Sequence, residues 1–199
     1  MANPNAPRGL IPYAYQGGGP YNGAVSTYYV PVGNATALFI GDPVILITNS
    51  SDGNGVQSVG IATAGATNYI LGSFQGISNN AGRATIPLLQ SSPVYLPAGQ
   101  AAYVYVADDP NLLYWAQEDS AGGAMVSGAS GQNVNLVAGA GNTTSGYSGW
   151  MLQSSSLNVD ATYQMRIMQM LQEADNAVGA YAKWMCRINL NAVNRQLGI

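Results

Sequence analysis

The chain has 199 residues, 47% apolar and 8% charged, and a formal net charge of −3. The charged share lies far below the roughly 25% of an ordinary soluble domain, yet the apolar share excludes intrinsic disorder. Histidine is absent and cysteine occurs once, which excludes a Ser-His-Asp hydrolase, a histidine-ligated metal, an intrachain disulfide and a Cys-based zinc site.

Residues 1–23 carry four prolines and five glycines and little periodicity. Proline removes backbone donors and glycine adds entropy, so the segment is a poor builder of core structure by itself. It reads either as a frayed tail or as an extended arm that orders against a neighbour. Leu10, Ile11, Tyr13, Tyr15 and Tyr21 favour the arm, because a solvated tail does not carry five large apolar groups. The first eight residues contain no apolar run, so no signal peptide is expected and assembly in a cytoplasm is.

A body of short strands follows. Ala24 to Val32 reads as a strand with an aromatic pair, Tyr28-Tyr29. Ala37 to Thr48 is interrupted by Gly41-Asp42-Pro43, where Pro43 belongs at a bend, a bulge or an edge. Val44 to Ile47 has the continuous apolar pattern of a strand buried on both faces. Ser50 to Gly55 is a turn cluster. Val56 to Thr63 and Tyr69 to Ile77 are further strands, the second with Gly72 as the expected bulge. Asn79 to Gly82 is a turn, and Thr85 to Leu89 and Val94 to Leu96 are short strands ended by prolines.

Tyr103 to Asp119 reads as a central β-hairpin. Ala102, Val104 and Val106 alternate with Tyr103, Tyr105 and Ala107, and Asp109-Pro110-Asn111 supplies the turn. Ser120 to Gly149 is rich in Gly, Ser, Ala and Asn, with one apolar island, Val134 to Ala138. Tyr163 to Glu173 fits a helix through Met165, Met168 and Leu171. It also fits a strand through Met165, Ile167 and Leu171, with Gln169 breaking the series. Lys183 to Leu190 is clearer: Trp184, Cys186, Ile188 and Leu190 alternate with polar or longer neighbours, a period of two. The regular spacing of strands and turns predicts one all-β domain, a barrel or jelly-roll-like sandwich, over residues 24–199 with the arm at 1–23.

No motif for chemistry emerges. Gly-x-Ser-x-Gly and the phosphate-loop pattern are missing. The acid pairs Asp108/Asp109 and Glu118/Asp119 are adjacent along strands, so the members of each point apart, and turn and rim roles are expected of them. Lysine and arginine form no run, so no direct nucleic-acid binding is expected, and no apolar stretch reaches the length of a membrane span. The reading is therefore of a protein that is not an enzyme and needs no cofactor or metal. Cys186 is read as a small core residue. The aromatic residues either fill the core or form a sugar-stacking platform, and core filling is the preferred reading.

Several passages together resemble a family of capsid cement (decoration) proteins from short-tailed double-stranded-DNA bacteriophages, which sit on an HK97-type shell. They are Asn3-Pro4-Asn5-Ala6-Pro7-Arg8-Gly9-Leu10, Ala37-Leu38-Phe39-Ile40-Gly41-Asp42-Pro43-Val44, and Val104-Tyr105-Val106-Ala107-Asp108-Asp109-Pro110. Gly141 to Gly149, Leu152-Gln153-Ser154-Ser155-Ser156, Arg166 to Leu171 and Asp175 to Lys183 continue the series in the same order. Gln172-Glu173-Ala174 departs from it, where similar proteins have a more basic, proline-containing turn. The resemblance implies strand for Arg166–Leu171. It also implies a virion protein on the capsid exterior whose partners are the major capsid protein and copies of itself, as a dimer or trimer. The partner-facing residues expected on this basis are Pro4, Pro7, Arg8, Leu10, Ile11, Tyr13, Tyr15 and Tyr21. The alternative is a glycan-binding head or tail component used in host adsorption.

Overall fold

A computed structural model describes residues 3–78 and 94–193. The predicted turn at 79–82 and strand at 85–89 lie outside the described residues. Twelve strands and two short 3-10 turns, Ser127–Ala129 and Ser154–Ser156, make up the regular structure among the described residues. The strands are β1 (Ile11–Tyr15), β2 (Ser26–Val30), β3 (Pro43–Ser51), β4 (Gln57–Ile61), β5 (Gly72–Ile77) and β6 (Ala102–Ala107). They continue with β7 (Leu112–Gln117), β8 (Asn133–Val134), β9 (Leu136–Val137), β10 (Met151–Leu152), β11 (Met165–Met170) and β12 (Lys183–Ile188).

These strands form two layers. A closed barrel runs β2-β4-β3-β5-β6, and a five-stranded antiparallel sheet runs β1-β7-β12-β11-β8; β9 and β10 pair separately. The barrel interior is filled by Val30, Val44, Val59, Phe74, Val104 and Val106, with Leu38, Leu71 and Leu96 beside them. The inner face of the sheet, with Tyr114, Trp184, Cys186, Met165 and Ile167, packs with Trp150 and Leu152 into a second core. Ile45 and Ile61 project from the barrel onto this second core, so the layers share one apolar contact and the domain is sandwich-like. The predicted all-β class is what folds.

Period-two patterning places the strands well. In β12 the alternation is realised residue by residue: Trp184, Cys186 and Ile188 are buried and Lys183, Met185 and Arg187 are half-buried. Residues 165–170 are strand, and the ladder to β12 slips between Ile167 and Gln169. That bulge is why the alternation broke at Gln169 and left a helix in play.

Three local expectations are corrected. β6 and β7 do not form a hairpin: β6 lies between β2 and β5, and β7 between β1 and β12. The turn chemistry is as read, with Asp109 Oδ1 accepting from Asn111 N–H at 2.7 Å. Asp108, however, accepts from Ser26 Oγ and Tyr28 OH on β2, which holds the end of β6 on the barrel while β7 departs for the sheet. Gly72 is not the bulge of β5, which falls between Phe74 and Gly76. A Cβ at Gly72 would lie 2.1 Å from the Ala107 carbonyl, so the glycine admits a close approach of two strands. Residues 94–96 form no strand; Leu96 makes an isolated bridge to Leu38.

The N-terminal segment runs extended, as expected, and is docked on its own body. Leu10 is fully buried in the sheet-side core, with its N–H on the Gly41 carbonyl at 2.8 Å and its carbonyl accepting from Ser73 Oγ. Residues 11–15 then become the edge strand β1. The boundary drawn at residue 23 thus separates a segment that contributes a core side chain to the body it precedes.

Candidate functional site: the N-terminal segment and the open sheet face

The predicted partner-facing residues follow one path. Asn3 anchors it, its side-chain amide donating to the carbonyls of Ala177 and Ala180. Pro4 is exposed and its carbonyl accepts from Gln117 Nε2 at 2.6 Å. Pro7 is half-buried, and the exposed Arg8 lays its guanidinium 4.7 Å from the centre of the Tyr147 ring, a cation–π contact. Pro7, Arg8 and Tyr147 line a groove of about 460 Å³ with Asn5, Asn142 and Ser145. That groove joins two passages that are far apart in sequence, 3–10 and 141–149.

Leu10 leaves this surface for the core, so it has no face to offer a partner. Ile11 lies opposite Trp115 on the outer side of the sheet. Tyr13 occupies the slip in the β1–β7 ladder and is 47% exposed. Tyr15 and Tyr21 turn back on the body: their rings meet at 6.3 Å, Tyr15 OH donates to Asn22 Oδ1 and Tyr21 OH to the Ala24 carbonyl. Burial raises the Tyr21 pKa above its usual value. Of the eight predicted residues, the structure brings Ile11 to the open sheet face, leaves Tyr13 exposed on the edge strand, and puts Pro7 and Arg8 in the groove.

The acids are committed to local structure. Asp119 Oδ1 accepts from Ser154 N–H and Oγ and from Ala121 N–H. Glu118 is fully buried, its Oε2 accepts from the Ser120 N–H at 3.2 Å, and burial raises its pKa. Asp42 is 2% exposed; burial pushes it up to about 6, opposed by the Ser148 hydroxyl and the Phe39 N–H. It lies beside an apolar cleft of about 610 Å³ lined by Phe39, Ile61 and Trp150. Burial pushes the Cys186 thiol to about 12, in keeping with a core role. Among the described residues no three of His, Cys, Asp and Glu gather as a metal site, and no helix is long and apolar enough to cross a membrane.

The aromatic residues mostly fill cores. Trp150 and Trp184 are 4% and 1% exposed, and among the described residues Tyr13 is the one aromatic side chain in the exposed class. A sugar platform needs neighbouring open rings; among the described residues Tyr13 is exposed and Trp115 is half-buried on the outer side of the sheet.

Sequence reasoning missed a cluster that only register assembles. Arg166 on β11 and Arg187 on β12 are directly opposed. Both lie on the outer face, since their neighbours Ile167 and Cys186 are buried. Comparison with known protein-family models, curated proteins and solved structures finds no match for this chain.

Proposed function

We propose that this chain is a virion structural protein, a capsid cement protein of a short-tailed double-stranded-DNA bacteriophage. In this reading it binds across neighbouring major capsid protein subunits on an HK97-type shell and stabilises the DNA-filled head. The observation that carries the reading is the placement of the N-terminal segment. It forms the edge strand of a sheet whose outer side carries the half-buried Trp115 and Met185, so segment and sheet together offer a continuous surface for contact with protein. With 8% charged residues the chain as a whole repels neighbours weakly. Asp42, Glu118 and Asp119 accept hydrogen bonds from neighbouring backbone N–H groups, structural roles that suit an adhesive protein. The passages that resemble cement proteins include both sides of the Arg8–Tyr147 groove and strand β11.

The mechanism is mechanical. A protein that binds an assembled lattice and not the free subunit stabilises the lattice by linkage, and symmetry multiplies a modest interface over many copies. The test is co-sedimentation of the purified chain with DNA-filled heads and with free coat protein. The expected result is binding to heads alone, and release of DNA from undecorated heads at a lower temperature. Retention on immobilised oligosaccharide with no binding to heads would replace this reading with host adsorption.

A further inference from the structure

We propose that the outer face of the five-stranded sheet, centred on Trp115 and Met185 and edged by Arg166 and Arg187, docks a protein surface that carries carboxylates beside apolar side chains. The assignment deepens the adhesive reading above; it rests on that reading for the partner's identity and not for the partner's chemistry.

The register builds the face. Ile11, Trp115 and Met185 lie side by side across β1, β7 and β12, and Leu113 and Arg187 are paired in the next outward row. Arg166 extends that row on β11. Trp115 and Met185 are half-buried: the Lys183 ammonium lies over the Trp115 ring at 5.8 Å and Gln117 on the same face is held by Pro4 and Ala6, but among the described residues no strand covers this face, whereas the opposite face of the same strands is sealed in the core. Trp, Met and Arg together are the side chains most enriched where proteins bind proteins.

Charge selects the partner. Like charges directly opposite each other on neighbouring strands destabilise a sheet. The Arg166–Arg187 pair has that arrangement, and among the described residues neither guanidinium meets a carboxylate; Arg187 reaches only Gln16 Oε1 at 3.2 Å. Asp160, near β8, spends an oxygen on the Thr162 N–H and hydroxyl. By contrast the third cation of the face, Lys183, is bound by Glu173 at 2.8 Å and approached by Asp175 at 3.6 Å. Two guanidinium groups side by side suit carboxylates, with the fork of the exposed Arg166 free to bind one in bidentate fashion.

A second copy meeting this face with the same face would set arginine against arginine, so isologous self-association is disfavoured here. A nucleic-acid backbone wants more cations and no acids, and Glu173 and Asp175 stand at the rim. An acidic, apolar protein surface satisfies both halves of the patch.

The experiment is a methyl and indole NMR titration of the full chain with the peptide acetyl-Leu-Glu-Leu-Asp-Leu-amide, with its Gln/Asn counterpart, and with a short DNA duplex. The assignment expects shifts at the Met185 methyl and Trp115 indole N–H with the acidic peptide, and at least tenfold weaker binding by the R166Q/R187Q double variant, whose positions are outside the core. Equal response to the uncharged peptide, a stronger response to DNA, or no response overturns it. In parallel, DNA-filled heads are mixed with wild type and double variant. Equal binding of both to heads also overturns the assignment. Heads that bind neither sink the cement reading instead, while the peptide titration still decides the chemistry of the face.

Discussion

At the scale of single residues, the fold depends on polar side chains that no motif announces. Gln164 is fully buried just before β11. Its Oε1 accepts from Gly65 and Leu136 N–H, and its Nε2 donates to the carbonyls of Thr63 and Asn68. One amide thus ties the loop after β4 to the start of β9. Nothing in the sequence singled it out, because a buried glutamine between Tyr163 and Met165 has the same local pattern as an exposed one. Gln164→Leu keeps roughly the volume and strands four backbone groups, each of which costs about 1–3 kcal/mol when left unsatisfied. Relaxation recovers part of this, so the expected loss is about 3 kcal/mol, read from the shift of the urea midpoint. A loss below 0.5 kcal/mol would mean that water replaces the amide.

Between elements, two junctions decide how the chain passes from layer to layer. The first is the Ala107 carbonyl, which accepts from the buried Tyr114 hydroxyl at 2.7 Å and so clips β7 to the end of β6. Local sequence could not separate this corner from a hairpin, since both need the same Asp-Pro-Asn turn; only the clip and the pull of Asp108 toward β2 distinguish them. Strand identity was legible wherever alternation was unbroken, as in β6 and β12, and became illegible at the β11 bulge, where one extra residue switches the faces. Tyr114→Phe removes the clip without changing the ring, and about 1–2 kcal/mol of stability should go with it. The second junction seats the N-terminal segment. Gly9 and Gly41 both have positive φ, and a Cβ on Gly41 would lie 1.9 Å from the Arg8 carbonyl. Gly41→Ala should therefore lift residues 8–15 from the body. Hydrogen exchange at the Leu10 amide, which bonds to Gly41, is expected to quicken by at least tenfold while exchange in the barrel strands holds. Uniform quickening would instead place the glycine in the global core.

For the molecule as a whole, composition read the class correctly but hid the distribution of charge. Six cations in 199 residues look scattered along the chain, and it takes the β11–β12 register to set two of them face to face. The same concealment applies to the acids, whose burial separates two groups with opposite effects on stability. Asp42 and Glu118 are buried with raised pKa values, Asp42 at about 6 against a usual 3.8. Each binds its proton more tightly folded than unfolded, so protonation stabilises the fold below about pH 4 and that stabilisation is lost as pH rises through the folded value. For Asp42 the span of about two pKa units amounts to roughly 3 kcal/mol. Asp52 works the other way. The Tyr103 hydroxyl is the main cause that holds it down to about 2, and Thr162 likewise lowers Asp160. Their contribution is complete above the unfolded value near 3.8 and is lost as pH falls below it. The two limbs cross on the acid side, so the melting temperature should peak near pH 4 and fall toward pH 7. Asp42→Asn should flatten the descent between pH 4 and 6 while leaving the limb below pH 4 in place, and Asp52→Asn should do the reverse. A melting profile for Asp42→Asn that falls as steeply as wild type across pH 4–6 would show that Asp42 ionises in the fold at no cost.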